Sequence, residues 1–217
     1  MAAMSKFWTI PLVIAVFVIG PFLIWGETLG ALMTPDPDTG AYPGGRKWLW
    51  ATAIGLLIAD IFIPIPTTSI VAALGIVYGP VIGAGVAIAG SMLSAGLGYG
   101  IGRILGRPVA LRLVGEAMAR GERAFARYGG WIVAASRWAP VLPEVVSVVA
   151  GVSRMPVAAF LAAAACGVVP FCAVFALFGH LGADWPLLTL GVSAAAPLVL
   201  WALASRFGLI ARIEGER

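Results

Sequence analysis

Two stretches decide the fold of this chain: ADIFIPIPTTS at residues 59–69 and SRWAPVLPEVV at residues 136–146. Each places a charged residue, Asp60 or Arg137, inside an apolar segment that prolines interrupt. A charge at bilayer depth is costly, and prolines free backbone groups that lipid cannot satisfy. Such segments persist only where protein or a water-filled cavity receives them. A pair of interrupted hydrophobic segments is typical of transporters built as inverted repeats.

The composition indicates an integral membrane protein. Of the 217 residues, 61% are hydrophobic and 11% are charged, and the mean hydropathy is +1.00. This leaves too little polar surface to cover a soluble globule. Several stretches reach the roughly 20 apolar residues that a membrane-crossing helix needs. Because they are spread over the whole length, we predict one membrane domain over residues 1–217.

Basic residues predict the orientation of these segments. By the positive-inside rule, Lys6, the arginine-rich stretch from Arg103 to Arg127 and the basic tail ending at Arg217 are cytoplasmic. Both termini are then expected in the cytoplasm. The first apolar stretch, 7–25, is long for a signal peptide and lacks a clear cleavage site, so we interpret it as a retained helix.

This orientation requires two re-entrant hairpins. The run 81–102 must travel inward and the run 157–179 must travel outward, so the segment before each must enter the membrane and turn back. Four prolines are expected at the tips of these hairpins: Pro64, Pro66, Pro140 and Pro143. Two ordinary spans in place of each hairpin remain an alternative, although the limbs of the first hairpin have only about 14 to 17 residues, near or below the usual minimum.

The predicted fold is therefore an all-α polytopic membrane protein. It has two oppositely oriented re-entrant helical hairpins in an inverted repeat, about four full transmembrane helices and one amphipathic surface helix. The predicted elements are an N-terminal helix at 7–25, a hairpin plus span at 47–102, an amphipathic helix at 108–128, a hairpin plus span at 129–179 and a C-terminal helix at 186–207. The arginines of the amphipathic helix either collect anionic lipid headgroups or only orient the linker.

Small residues predict a close helix contact. Gly98, Gly102 and Gly106 recur at intervals of four, which lets a second helix approach their backbone. We interpret this face as packing within the chain, with a homodimer contact as the second interpretation. Cys166 and Cys172 fall on opposite faces of one helix, so no disulfide is predicted between them.

Three ionisable residues fall within the predicted membrane segments, namely Asp60, Arg137 and Glu144. Burial disfavours a charged carboxyl and a nearby arginine favours it, so a mobile arrangement of acid and arginine can take up and release a proton. Asp60 and Glu144 are therefore the candidate proton-coupling residues. The alternative is a static buried ion pair of Asp60 with Arg137 that holds the two hairpins together.

The hairpin tips also provide the elements of a phosphate site. A guanidinium and the N–H groups at helix N-termini both suit a phosphate, which makes Arg137 the central candidate. Thr67, Thr68 and Ser69 follow a proline directly and are expected to begin a helix and add hydroxyl donors. Arg154 lies beyond the second hairpin and is expected to extend to the cytoplasmic interface.

An enzyme is the rival class, and we do not expect one. His180 is the only histidine, which excludes a site of several histidines, and the chain has neither an HExxH motif nor a nucleophile elbow. No metal, cofactor or nucleic-acid partner is predicted.

Three ordered motifs resemble one family. DIFIPIPTTS, GSMLSAGLGYGIGRILG and SRWAPVLPEVVSVVAGVSRMP are similar to motifs of the DedA family of bacterial membrane proteins, within the wider VTT-domain (SNARE-associated Golgi protein) superfamily. The likeness runs from about Trp48 to His180. Many DedA members carry a second acidic residue where Thr68 stands here and a second arginine where Pro143 stands here.

The resemblance implies two opposed re-entrant hairpins and lipid translocation in the bacterial inner membrane. The expected partners are anionic membrane lipids and protons. The implied substrate is undecaprenyl phosphate, moved at the expense of the proton motive force, or a phospholipid. An energy-independent scramblase and a non-transporting scaffold remain the alternatives.

Overall fold

The computed structural model describes residues 48–62, 65–114, 125, 128–139, 142–186, 188–193 and 195–196, with the backbone alone for 107–114. Regular structure in these residues is helical throughout. The elements are α1 (Leu49–Ala59), α2 (Thr67–Val114), α3 (Leu142–Val152) and α4 (Val157–Leu181), with further helical segments at 128–136 and 188–193.

The first hairpin is formed by α1 and the beginning of α2. α1 ends at Ala59, and the chain reverses before α2 begins at Thr67. The backbone N–H of Trp50 donates to the hydroxyl of Tyr78 at 3.1 Å, which places the start of one limb beside the end of the other. The described residues of this turn, 60–62 and 65–66, are called the first tip below.

Glycine breaks α2 into separate helical runs. Gly79 has φ 79° and ψ 173°, a conformation that is essentially available only to glycine. The chain turns back there, so an added Cβ at Gly83 would overlap the backbone of Leu74. The long run that follows ends at a second break, Gly106, with φ 68°. A short hairpin limb is thus joined directly to a long helix.

The second hairpin repeats this plan. The helical segment 128–136 is followed by a turn, and α3 returns the chain. Gly129 lies near both Phe125 and the sulfur of Met155, so the start of the first limb is beside the end of the second. The described residues of this turn, 137–139, are called the second tip below.

A left-handed turn joins α3 to α4. Arg154 has φ 55°, its N–H donates to the carbonyl of Gly151 at 3.1 Å, and the N–H of Met155 donates to the carbonyl of Ala150 at 3.1 Å. These two bonds form the Schellman motif, in which the left-handed position is usually glycine. The residues of this connection, 153–156, are called the α3–α4 turn below.

The short limb of each hairpin packs on the long helix of the other half. Added Cβ atoms at Gly75 and Gly179 would overlap the carbonyls of Ala176 and Ala72, which defines a first crossing between α2 and α4. A second crossing joins α3 and α2 by four residues in the same way, Gly151 against Tyr99 and Gly102 against Val148. In the two short limbs, Ala72 corresponds to Val148 and Gly75 to Gly151, each pair 76 positions apart. The two crossings are therefore copies of one contact.

Two large apolar clusters form most of the core among the described residues. One combines Ala53 and Leu57 of α1 with both parts of α2 and with Phe171 and Phe175 of α4. The other joins Tyr99 of α2 to Val133, α3 and the first half of α4. Both clusters draw on α2 and α4, so these two helices connect the hairpins.

Two helical stretches among the described residues are long and apolar enough to cross a membrane, Thr67–Gly106 and Val157–Leu181. Large apolar side chains remain exposed on them, for example Val81 at 82% and Ile104 at 86%. Such surfaces are typical of contact with lipid. The chain is therefore described as a membrane protein. α1 and α3 are apolar but have only 11 residues each.

The predicted all-α fold agrees with every described residue. Of the predicted C-terminal helix, residues 186, 188–193 and 195–196 are described and helical. The N-terminal helix at 7–25 and most of the amphipathic helix at 108–128 lie outside the described residues. The insertion of the two hairpins from opposite faces of the membrane remains a prediction.

Candidate functional site

The Asp60 carboxylate closes the first tip. Its Oδ1 accepts a hydrogen bond from the backbone N–H of Ile65, and its Oδ2 accepts one from the hydroxyl of Thr67, each at 2.7 Å. Asp60 follows the last residue of α1, whereas Thr67 begins α2. The half-buried carboxylate therefore links the two limbs across the turn.

The second tip presents Arg137. Its Nη2 donates to the hydroxyl of Ser147 at 2.9 Å, and that hydroxyl donates in turn to the carbonyl of Pro143 at 2.6 Å. The Nε of Arg137 is buried and has no hydrogen-bond partner in the described part of the protein. A buried donor without an acceptor is rare in folded proteins. The guanidinium thus retains capacity to bind an anion.

Close contact with α4 holds the second tip. An added Cβ at Gly167 would overlap the carbonyl of Ala134 and lie 2.8 Å from Cγ of Arg137. Trp138 packs edge-on against Phe171, with ring centroids 5.6 Å apart. Gly167 therefore provides the space in which the aliphatic part of the arginine rests on α4.

The two tips share one charged region. Glu144 lies in the first turn of α3 and interacts electrostatically with both Asp60 and Arg137. Asp60 and Arg137, whose side chains the structure describes, form no ion pair with each other, because each makes its hydrogen bonds within its own hairpin. The predicted charges are therefore brought together without the direct pair that a static clamp would need.

The other predicted phosphate ligands differ in their placement. Thr67 belongs to the first tip, whereas Thr68 is buried, with 4% of its surface exposed. The hydroxyl of Ser69 donates to the carbonyl of Leu190 at 2.9 Å, so it ties α2 to the 188–193 segment.

The predicted tip prolines and packing glycines are partly described. Pro66 and Pro143 stand at or next to the first turns of α2 and α3, while Pro64 and Pro140 lie outside the described residues. Of the glycines, Gly98 packs near Ser147, Gly102 belongs to the second crossing, and Gly106 forms a break in α2.

Two residues of this region were missed by sequence reasoning. Ser147 is the partner of the arginine, and Gly167 makes room for it. Ser147 is a single polar residue in the run VVSVVAG, which is a signal that could have been used. Gly167 carried no comparable signal, since the chain has 28 glycines.

Residues 65–181 match the family model of the VTT domain. This match covers more than half of the chain and contains α2, α3, α4 and most of the residues at the two tips. The chain belongs to the VTT-domain family. The VTT domain of this chain ends at Leu181, which is also the last residue of α4.

One curated relative of this VTT-domain protein is undecaprenyl phosphate transporter A of Bacillus subtilis (strain 168). It is 31% identical over 94 residues, which cover 40% of this chain and 48% of the relative. The match thus spans about half the length of that protein. No solved structure matches this chain.

Proposed function

We propose that this VTT-domain protein moves an anionic, phosphate-bearing lipid across the bacterial inner membrane. The headgroup binds between the two tips, with Arg137 as its principal ligand, and the acyl or prenyl chain stays in the bilayer. The protein crosses the membrane several times with both termini in the cytoplasm. The name of the relative supports undecaprenyl phosphate as the substrate.

The observation that carries this proposal is the guanidinium at the second tip, which hydrogen-bonds no carboxylate among the described residues. A buried arginine without a hydrogen-bonded carboxylate is costly, because its charge is desolvated. Arg137 has one hydrogen bond, to a neutral serine, and a buried Nε without a partner among the described residues. A phosphate oxygen would supply the missing acceptor and the negative charge.

The lengths of the hairpin limbs support a site inside the membrane. With a rise of about 1.5 Å per residue, α1 and α3 are each about 16 Å long, roughly half of the hydrocarbon thickness of about 30 Å. Limbs of this length would bring the two tips to the middle of the bilayer if the hairpins enter from opposite faces. Transport sites in other inverted-repeat proteins lie at that depth.

Asp60 and Glu144 are the residues that we propose for proton coupling. Both carboxylates are half-buried, and Glu144 interacts electrostatically with Asp60 and with Arg137. Protonation of Glu144 would remove a negative charge that competes with the phosphate for Arg137. Proton uptake would then favour lipid binding at the tips.

A scramblase without energy coupling is the second candidate, and one observation favours it. Each oxygen of Asp60 already accepts a 2.7 Å hydrogen bond from the first tip. With both oxygens engaged, the carboxylate has a structural role at the first tip that needs no proton transfer. If Asp60 only shapes the tip, the lipid would move down its own gradient.

The test is lipid movement in proteoliposomes that contain the purified full-length protein. A labelled polyprenyl phosphate and a labelled phospholipid are followed with and without an imposed pH gradient, for the wild type, Arg137→Ala and Arg137→Lys. We expect gradient-dependent movement of the polyprenyl phosphate. Arg137→Ala should lower its rate at least tenfold, since one charge-assisted hydrogen bond corresponds to about that factor. Arg137→Lys should retain part of the rate, because it keeps the charge but not the planar donor geometry.

The remaining outcomes separate the candidates. Equal, gradient-independent movement of both lipids, still dependent on Arg137, would indicate the scramblase. Asp60→Asn should abolish the gradient dependence while the protein still folds, if Asp60 couples protons. Unchanged movement in Arg137→Ala would contradict both candidates.

A further inference from the structure

We propose a second anion site at the α3–α4 turn, formed by Arg103, Arg154 and the N-terminus of α4, which binds the phosphate of a membrane lipid. It does not depend on transport. α3 separates this turn from the second tip, so the two sites lie about 16 Å apart along the helix.

The strained backbone of Arg154 is the first observation. At φ 55° a side chain with a Cβ meets the carbonyl of its own residue, which costs about 1–2 kcal/mol relative to glycine. The corresponding connection in the first half, between the short limb and the long helix, is made by Gly79. Glycine, which usually takes the left-handed position of a Schellman motif, would adopt the φ of Arg154 without this cost. Strain of this kind at a single residue indicates that its side chain has a role.

Arg103 is held next to the same turn. An added Cβ at Gly151 would lie 2.8 Å from the backbone nitrogen of Arg103, so Arg103 packs directly against the end of α3. Its Nη1 is 3.3 Å from the hydroxyl of Tyr99, and that hydroxyl donates to the carbonyl of Met155 at 2.5 Å. The guanidinium of Arg103 is therefore only two hydrogen bonds from the residue that follows Arg154.

Both arginines have free donors. Arg103 and Arg154 are exposed, and neither forms an ion pair within the described part of the chain. A phosphate between these adjoining elements would accept charge-assisted, bidentate hydrogen bonds from the guanidinium groups.

The turn also supplies neutral donors. α4 begins after Pro156, and no side chain caps its first turn, so its leading N–H groups and the positive end of its dipole are open to an anion. The hydroxyl oxygen of Ser153 is buried without a hydrogen-bond partner among the described residues. These N–H groups, Ser153 and Arg154 belong to one turn and the helix that follows it, and Arg103 packs against the end of α3 beside them.

The neighbouring surface indicates that the phosphate belongs to a lipid rather than to free phosphate. Ile104, next to Arg103, is 86% exposed, and Val157, at the start of α4, is 52% exposed. Arginines that lie beside exposed apolar side chains are suited to the boundary between headgroups and hydrocarbon. A phosphate anchored in the bilayer would reach the site along this surface.

Native mass spectrometry of the purified full-length protein tests the site by counting bound lipids during titration with phosphatidic acid, with phosphatidylcholine as the comparison lipid. The measurements use an Arg137→Ala background, which removes the site at the tips. Arg154→Gly is the main variant, because glycine keeps the turn and relieves its strain. We expect about tenfold weaker binding of one phosphatidic acid, the effect of losing one charge-assisted hydrogen bond, and a thermal midpoint that is unchanged or higher.

Three comparisons decide the result. Arg103→Gln should weaken the same binding event to a similar extent, and Arg154→Lys should weaken it less. Arg217→Gln, which also removes one positive charge, should leave it unchanged. Wild-type binding by Arg154→Gly, or an equal loss in Arg217→Gln, would overturn the proposal. Displacement of the lipid by millimolar inorganic phosphate would assign the site to free phosphate instead. Because the readout is binding, a failed transport experiment leaves this proposal intact, and the reverse also holds.

Discussion

At the scale of single residues, the tips depend on a few polar contacts in apolar surroundings. Asp60 is satisfied by two donors of its own tip. Arg137 has one neutral partner and one buried donor without an acceptor among the residues that the structure describes. This asymmetry distinguishes a group that maintains the shape of a turn from a group that can bind a ligand.

Thr67→Val should destabilise the first tip. The substitution keeps the branched shape but removes the hydroxyl that donates to Asp60, which leaves a half-buried carboxylate oxygen without a protein donor. We expect the free energy of unfolding to fall by about 1–3 kcal/mol, measured by thermal or denaturant unfolding in detergent. Thr67→Ser retains the hydroxyl and serves as the matched control. Equal stability of the valine and serine variants would show that this hydrogen bond contributes nothing.

The sequence identified Asp60, Arg137 and Glu144, because charges in apolar segments stand out. It did not reveal their partners. The bond of Asp60 to the N–H of Ile65 depends on the backbone path of the tip, and the bond of Arg137 to Ser147 joins residues on opposite limbs of a hairpin. Such pairings require the tertiary structure.

At the scale of helices, glycines set how closely the elements approach. Gly75 and Gly179 accept the carbonyls of the facing helix at positions where a methyl group would overlap them. Gly85, in the same long element α2, has no atom within 4 Å of an added Cβ. An added methyl group is therefore excluded at Gly75 but has room at Gly85, although both glycines belong to α2.

Gly75→Ala should lower the thermal midpoint, whereas Gly85→Ala should leave it unchanged or raise it. The first substitution forces α2 and α4 apart, and overpacking of this kind costs about 1–3 kcal/mol. The second gains up to about 1 kcal/mol of helix propensity without a new contact. Circular dichroism of the purified variants during heating makes the comparison. A stable Gly75→Ala protein would mean that the helices can separate at no cost.

The all-α class predicted from the sequence agrees with the described residues, whereas the contacts between the helices were predicted less well. Prolines predicted both turns, because a proline cannot continue a helix and constrains the residue before it. The small-residue pattern predicted a close contact, but not that Gly102 meets α3 and Gly106 breaks α2. Spacing alone does not distinguish a packing glycine from one with positive φ.

At the scale of the whole molecule, each half packs its short limb on the long helix of the other half. The short limb of the first half lies on α4, and the short limb of the second half lies on α2. The orientation argument from the sequence predicted a repeat. It did not predict that each repeat would complete the other, because that depends on contacts far apart in the chain.

Pairs of glycine substitutions test this arrangement. Gly102→Ala and Gly151→Ala affect the same crossing, so their effects on the free energy of unfolding should be less than additive, since helices already separated by one methyl group accommodate the second more easily. Gly75→Ala and Gly151→Ala affect different crossings and should be additive within about 0.5 kcal/mol. Full additivity of the first pair in equilibrium unfolding would contradict a shared contact.

The reciprocal crossings also constrain the order in which the protein can be completed during synthesis. The groove that receives Ala72 and Gly75 is made by Ala176 and Gly179, which leave the ribosome roughly a hundred residues later. Until then the first hairpin can pack on the part of α2 that follows it, but it lacks this second surface. A nascent chain that stops before α4 therefore exposes the helix face that α4 would cover. Membrane quality control can recognise the truncated chain by this exposed face.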